Sequence, residues 1–158
     1  MKTVVDTSVL IALLNPDEQY NERASELLMD AYSAGAVVVA PVTYTELGAD
    51  PYFETTDDLD AFLDDTGIRI ESPGEQALFA AGEAFQAYLD RRGERLQCSE
   101  CGTETAFECP DCGVRVTARQ HVPADFLIGA LADKQADRLL TFDSGFFETY
   151  FSLDLVTF

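Results

Sequence analysis

The stretch Thr3–Leu14 reads TVVDTSVLIALL and predicts how the chain folds. A short β-branched run ends at one acid, Asp6, and an apolar helical segment begins at Val9. Thr7 and Ser8 stand between the two, where either residue can cap the helix. A carboxylate at the carboxyl end of a first strand is where open α/β sheets place groups that bind ligands. Asp6 is therefore either a ligand-binding acid or a simple helix cap.

Apolar patterning predicts that strands and helices alternate along the rest of the chain. The predicted strands are residues 3–5, 36–40, 68–70, 138–141 and 153–158. Segments with apolar residues at helical spacing lie between them. This alternation is typical of βαβ units and a largely parallel sheet. The pattern does not by itself predict the order of the strands.

The charge balance is strongly acidic for a chain with so many apolar residues. Among 158 residues, 29 acidic side chains stand against 10 basic ones, which gives a formal net charge of −19, while 47% of residues are hydrophobic. The chain is therefore a folded domain rather than a disordered acidic tail. A uniformly acidic surface predicts the cytoplasm of a salt-loving microbe, where the Debye length is about 3 Å at 1 M salt. In such salt, acidity is only weak evidence against a nucleic-acid substrate.

Neither a signal peptide nor an apolar run of membrane-spanning length is visible in the sequence. We therefore expect a cytoplasmic protein without a membrane partner. Disulfides are rare in that compartment, so the four cysteines are expected to be reduced or to bind metal.

Four acids are distinguished by their positions. Asp6 and Asp143 each follow a predicted strand, Asp125 opens an apolar helix, and Glu46 lies on a helix that follows a strand. In a parallel sheet these positions share one edge, and Asp6 faces Asp143 if strands one and four are neighbours. Carboxylate oxygens that converge there would suit Mg²⁺ or Mn²⁺. Each acid taken alone can also be explained as a helix cap or a partner of a helix dipole.

A segment rich in Gly, Thr, Cys and charge interrupts the pattern at residues 96–120, which we call the insert. It contains two Cys-x-x-Cys-Gly motifs, whose thiolates can hold one Zn²⁺ tetrahedrally. The four predicted ligands are Cys98, Cys101, Cys109 and Cys112. They complete a closed structural site typical of a zinc ribbon. The only histidine, His121, is then predicted to be a surface or hinge residue.

Two further groups of residues allow alternative interpretations. Arg91, Arg92 and Arg95 form the only basic cluster, which either favours a helix carboxyl terminus or contacts phosphate near the insert. Four hydroxyl residues near the predicted site could orient metal-bound water, although capping explains two of them, Ser8 and Ser144, equally well. These hydroxyl residues are Thr7, Ser8, Thr141 and Ser144.

The sequence around the four acids resembles the PIN-domain nucleases. The matching motifs are VVDTSVLIALL around Asp6, TEL around Glu46, PADFLIGALA around Asp125 and LLTFDSGFF around Asp143. The resemblance implies a three-layer α/β/α domain with a parallel sheet of order 3-2-1-4-5. We expect this domain to span residues 1–158, with the zinc ribbon predicted from the cysteines inserted in it at residues 96–120. The resemblance also implies Mg²⁺- or Mn²⁺-dependent hydrolysis of RNA. Asp6, Asp125 and Asp143 would hold the metal, and Glu46 would position a second metal or the attacking water.

The resemblance leaves the biological setting open. The compact size is similar to VapC-type toxins of toxin–antitoxin pairs, which implies an RNA substrate and leaves an antitoxin protein and a homodimer as partners to test. Typical VapC-type toxins lack a zinc ribbon at this place, and a ribosome-maturation PIN endonuclease carries its ribbon after the PIN domain. The alternatives are a nuclease that processes ribosomal or other structured RNA and a catalytically idle scaffold that binds RNA or protein.

Overall fold

The computed structural model describes residues 1–17, 19–93, 95–97, 103–116 and 122–157. The strands in these ranges are β1 (Lys2–Val5), β2 (Ala36–Val39), β3 (Arg69–Ile70), β4 (Leu96–Gln97), β5 (Glu104–Thr105), β6 (Phe107–Glu108), β7 (Arg115–Val116), β8 (Arg138–Leu140) and β9 (Leu155–Val156). The helices are α1 (Thr7–Leu14), α2 (Asn21–Ala34), α3 (Pro41–Leu47), α4 (Thr56–Thr66), α5 (Glu75–Arg92), α6 (Ala124–Gln135) and α7 (Ser144–Tyr150). None of these described helices combines the length and the apolar composition needed to cross a bilayer.

Five strands form one parallel sheet in the order β3-β2-β1-β8-β9. Strand β1 is central, with Thr3 beside Val37 of β2 on one side and beside Arg138 of β8 on the other. The order 3-2-1-4-5 implied by the family resemblance is therefore confirmed, with β8 and β9 as its fourth and fifth strands. Because strand order reverses between β1 and β8, their carboxyl ends form a topological switch point, where α/β sheets bind ligands.

Helices cover both faces of this sheet, which confirms the predicted three-layer architecture. Successive residues of a strand face opposite sides of the sheet. Val4 and Val5 of the central strand β1 are both fully buried. Val5 packs in a core with residues of α1, α2, α3 and α4. Val4 packs on the other face with Ile128 and Leu131 of α6 and with Phe147 of α7. Helix α5 then packs against α6 through Phe126.

Several predicted boundaries are corrected by the structure. Helix α1 starts at Thr7 instead of Val9, so Thr7 and Ser8 are its first residues and not its caps. The capping interpretation of these two hydroxyls was wrong, because their side chains bond to carboxylates instead. Strands β3 and β9 have only two residues each, fewer than predicted. Both lie at the edges of the sheet, where a strand has a neighbour on one side only.

The insert lies between α5 and α6 and is separate from the main sheet. Its described residues form two small antiparallel sheets, one of β4 with β5 and one of β6 with β7. Among residues 103–116 every residue is exposed except Cys109, which is half-buried. Cys98, Cys101 and His121 lie outside the described residues. The zinc ribbon over residues 96–120 therefore stays a prediction.

Candidate active site

Asp6 lies at the switch point, directly after β1, and is only 5% exposed. Its backbone N–H donates to the carbonyl of Leu140 in β8 at 2.9 Å. Its Oδ2 atom accepts hydrogen bonds from Ser8 Oγ at 2.6 Å and from Thr141 Oγ1 at 2.8 Å. The residue occupies the N-cap position of α1, but its side chain makes no capping hydrogen bond. The explanation of Asp6 as a simple helix cap is therefore wrong.

Thr141 links Asp143 to Asp6. The fully buried Thr141 hydroxyl donates to Asp6 and accepts a hydrogen bond from the backbone N–H of Asp143 at 3.0 Å. Asp143 itself caps α7, since its Oδ1 atom accepts from the N–H of Phe146 at 3.4 Å. The structure thus brings these two predicted acids to the same point, and capping accounts for one oxygen of Asp143.

Glu46 reaches this edge of the sheet from α3, which begins two residues after β2 ends. Its Oε2 atom accepts a hydrogen bond from the hydroxyl of Thr7, a residue 39 positions away in the chain. Ser8 adds a further link, because its Oγ accepts from the N–H of Phe142 at 3.3 Å. Three of the hydroxyl residues that the sequence suggested for orienting metal-bound water therefore hold the predicted acids or the loop beside them.

Asp125 lies in the first turn of α6. The charges of the other three acids affect its ionisation. Burial of its carboxyl group is the largest cause that raises the pKa of Asp125 to about 6, and the negative charges of Asp6, Glu46 and Asp143 raise it further. Charges act in this way only over short distances in a protein. The structure therefore brings all four predicted acids into one electrostatic neighbourhood.

Three of these acids bind the protein through one oxygen and leave the other available. Asp6 uses Oδ2, Glu46 uses Oε2 and Asp143 uses Oδ1. Within the described ranges, no group donates a hydrogen bond to their remaining oxygens. No described lysine or arginine forms an ion pair with any of the four acids. The negative charge at this edge is thus held in place without being neutralised.

The donor set fits a hard divalent cation chemically, because carboxylate oxygens are the ligands that Mg²⁺ and Mn²⁺ prefer. In the part of the chain that the structure describes, no three His, Cys, Asp or Glu side chains are close enough together to hold one metal ion. Carboxylates without a cation repel one another, and this repulsion adds to burial in raising the pKa of Asp125. We therefore expect the side chains to approach one another when a cation compensates their charge.

The described half of the predicted zinc site is a tight turn from Cys109 to Cys112. Gly113 donates its N–H to the Cys109 carbonyl at 2.8 Å and has a φ of 69°, which favours glycine. The backbone N–H groups of Cys112 and Asp111 lower the pKa of the Cys109 thiol. The turn therefore favours the thiolate form, which is the form that binds metals.

With this geometry established, comparison with known proteins identifies the class. The family model described as PIN domain matches residues 3–96, more than half of the chain. The protein therefore belongs to the PIN-domain family, which confirms the predicted resemblance and supports a nuclease. The matched range includes Asp6 and Glu46, whereas Asp125 and Asp143 lie beyond it.

Two of the solved structures that match this fold are bacterial proteins. A chain of the VapBC2 complex from Rickettsia felis, crystallised with a DNA fragment from its promoter, has a TM-score of 0.59 and 17% identity, and the match covers 99% of this chain and 98% of that one. VapC20 from Mycobacterium tuberculosis, a toxin that cleaves the sarcin-ricin loop, has a TM-score of 0.50 and 18% identity, with 95% and 96% covered. At these identities the likeness shows the fold alone. No curated protein matches the sequence significantly.

Proposed function

We propose that this protein is an endoribonuclease that hydrolyses RNA phosphodiester bonds with Mg²⁺ or Mn²⁺. The observation that carries the proposal is the group of four carboxylates at the switch point. Burial of the carboxyl group and, to a smaller extent, the negative charges of the other three acids raise the pKa of Asp125, and no described lysine or arginine forms an ion pair with any of the four. A group of carboxylates whose negative charges are not compensated within the protein is well suited to bind a divalent cation.

The four acids have distinct roles in this proposal. Asp6, Asp125 and Asp143 would hold the metal, and Glu46 would position a second metal or the attacking water. When bound, such a metal activates water and stabilises the charge that develops on the phosphate. The hydroxyls of Ser8 and Thr141 hold one oxygen of Asp6, so its other oxygen is directed before any ligand arrives. The Thr7 hydroxyl fixes Glu46 in the same way.

The biological setting that we propose is a toxin with a protein antitoxin. The structural neighbours support this, since one comes from a VapBC complex and the other is a toxin that cleaves the sarcin-ricin loop. Dimerisation of this chain belongs to the same proposal. All four acids being present argues against a catalytically idle scaffold that binds RNA or protein.

The insert favours a second candidate, a nuclease that processes ribosomal or other structured RNA. Zn²⁺ held by Cys98, Cys101, Cys109 and Cys112 would fold the insert into a platform for RNA or for a partner protein. The lowered pKa of the Cys109 thiol supports the ligand role of that residue. A gene for a small DNA-binding protein next to the gene for this chain would favour the toxin, and its absence would favour RNA processing.

The test is cleavage of labelled RNA by the purified protein in molar KCl with added Mn²⁺. We expect Asp6→Asn and Asp143→Asn to reduce the cleavage rate by about a thousandfold or more, because each removes a charged ligand. The matched control is Asp30→Asn, which changes an exposed acid on α2 far along the chain from the site.

The variants must keep their fold for the result to count, which circular dichroism and the thermal midpoint will check. Undiminished cleavage by both folded variants would rule out the proposed roles of these acids. Equal cleavage with Mn²⁺ and with a chelator would rule out the metal dependence while leaving the acids as candidates for acid–base chemistry.

A further inference from the structure

The end of α5 carries an unusual concentration of positive charge for this acidic protein. Three of the ten basic residues of the chain lie within five positions, at Arg91, Arg92 and Arg95. Arg91 and Arg92 line a pocket of about 170 Å³ together with Tyr88, Glu104 and Tyr150. Within the described residues, neither arginine forms an ion pair. An anion from outside can therefore pair with Arg91, whereas Arg92 already donates two hydrogen bonds within the protein.

The pocket is prearranged by contacts among its own residues. Arg92 donates from Nη1 to the Tyr88 hydroxyl at 2.9 Å and from Nε to the Arg95 carbonyl at 2.9 Å. Its guanidinium carbon also lies 5.6 Å from the centroid of the Tyr88 ring. Arg92 is thus fixed as part of the wall, whereas Arg91 is exposed. A planar guanidinium held in this way is well suited to bind phosphate.

Aromatic packing connects this pocket to the four acids. Tyr88 and Tyr150 meet at 6.0 Å between ring centroids, and both pack on Phe126, at 5.8 and 5.4 Å. Phe126 directly follows Asp125 in α6. The pocket therefore packs against the same helix that carries Asp125, and Glu104 of the insert forms part of its lining.

Glu104 of β5 determines which part of a nucleotide could lie at its side of the pocket. Its carboxylate can only accept hydrogen bonds and would repel phosphate. Exposed bases of single-stranded RNA are recognised through stacking on aromatic rings and through hydrogen bonds to their edges. Amino groups of bases donate to carboxylates, as cytosine does to Glu or Asp. Uracil has a carbonyl oxygen where cytosine has that amino group, so a carboxylate disfavours it.

We propose that the pocket of Tyr88, Arg91, Arg92, Glu104 and Tyr150 binds one nucleotide of the RNA strand beside the cleaved bond, with its phosphate at the arginines and an amino-bearing base at Glu104. This inference rests on the proposed function, since it assumes an RNA substrate. It assigns the insert a direct role, because β5 supplies the residue that selects the base.

The experiment measures binding without cleavage, in an Asp6→Asn background and at the lowest KCl concentration that keeps the protein folded. The probes are fluorescein-labelled oligocytidylate and oligouridylate of equal length, followed by fluorescence anisotropy. We expect Arg91→Gln to weaken binding of both probes by about tenfold, because a charge-assisted phosphate contact is lost. The matched control is Arg69→Gln, which removes an exposed arginine from β3 and should leave binding unchanged.

The base-selecting role is tested by the ratio of the two dissociation constants. We expect tighter binding of oligocytidylate, by about tenfold, and a smaller preference in Glu104→Gln, since the amide can donate to the uracil carbonyl as well as accept. Equal binding of both probes before and after this substitution would overturn the role of Glu104. Unchanged binding in Arg91→Gln would overturn the pocket as a whole.

Two outcomes separate this inference from the proposed function. Binding that depends on Arg91, in a protein that cleaves no RNA with Mn²⁺, would support the pocket and reject the nuclease. Cleavage by the wild-type chain with no effect of Arg91→Gln on RNA binding would do the reverse. Arg91-dependent binding of polyglutamate but not of RNA would overturn the proposal in favour of an acidic protein partner.

Discussion

The main sheet and the insert differ in how their strands are surrounded. In β1 the residues Val4 and Val5 are fully buried, one in each of the two layers of core. In the insert, Phe107 and Val116 are paired across β6 and β7, yet both are exposed. Apolar burial is the main favourable contribution to folding, and of these four residues only the two in β1 have it. The difference teaches that the two regions must be stabilised by different means.

The two regions also have different parts in the proposed function. The four acids depend on the rigid carboxyl edge of the main sheet, where hydroxyls hold them in position. The insert offers exposed groups that a substrate or partner can reach, and its described residues surround them with little apolar contact. Under the proposed function, the main sheet carries the catalytic acids and the insert contributes to binding of the substrate.

The largest expected effect is on the free energy of unfolding, when a buried phenylalanine beside the main sheet is replaced by alanine. The same replacement of an exposed phenylalanine in the insert serves as the comparison. Phe147 is 1% exposed and Phe107 is 54% exposed. We expect Phe147→Ala to lower the free energy of unfolding by about 3–5 kcal/mol, because it leaves a cavity in the core. Phe107→Ala should lower it by less than about 0.5 kcal/mol. Urea unfolding at constant salt measures both values, and similar losses would contradict the division into two regions.

Removal of zinc should affect only the insert. Elemental analysis should find zinc bound to the purified protein, and a chelator should increase amide hydrogen exchange in residues 103–116 by about a hundredfold. Exchange in β1 and β8 should stay unchanged, because apolar burial stabilises those strands. Cys109→Ser removes one predicted zinc ligand and should give the same exchange pattern without a chelator. A protein purified without bound metal whose residues 103–116 remain protected would refute the zinc ribbon.

The smallest expected effect concerns the ionised carboxyl group of Asp125, which burial and the three neighbouring acids disfavour in metal-free protein. The pKa of Asp125 is raised from its ordinary value of 3.8 to about 6 in the folded chain. The ionised carboxyl therefore destabilises the fold, a cost absent below the unfolded pKa and complete above the folded one. We expect Asp125→Asn to stabilise the metal-free protein by about 1–2 kcal/mol near pH 8, allowing for solvent screening of this half-buried group.

This gain should shrink as the pH falls from 6 towards 4, because the wild-type carboxyl then becomes neutral. Other acids titrate in both proteins, so the difference between their unfolding free energies isolates Asp125. Asp30→Asn serves as the control and should show no such change with pH. A constant difference between wild type and Asp125→Asn across this range would contradict the shift.

The strands of the main sheet could be predicted because buried parallel strands have a local signature. A run of β-branched and aliphatic residues such as 36–40 is short, apolar and bounded by breaks in the pattern. The ends of edge strands were harder to predict, since β3 and β9 pair on one side only. The sequence predicts that α1 starts after Thr7 and Ser8, but both residues lie inside the helix, where their hydroxyls bond to Glu46 and Asp6 instead of capping it.

The sequence by itself determined the α/β class and the position of each acid relative to its strand or helix, because both depend on neighbouring residues. Only the tertiary structure decided which hydroxyl holds which acid and which carboxylate oxygen stays available. Thr141 reaches Asp6 across 135 positions of the chain, and Thr7 reaches Glu46 across 39. Such bonds depend on the pairing of β1 with β8 and on the packing of α1 against α3. The pocket of Arg91 and Glu104 has the same origin, because it forms only where α5, α7 and the insert meet.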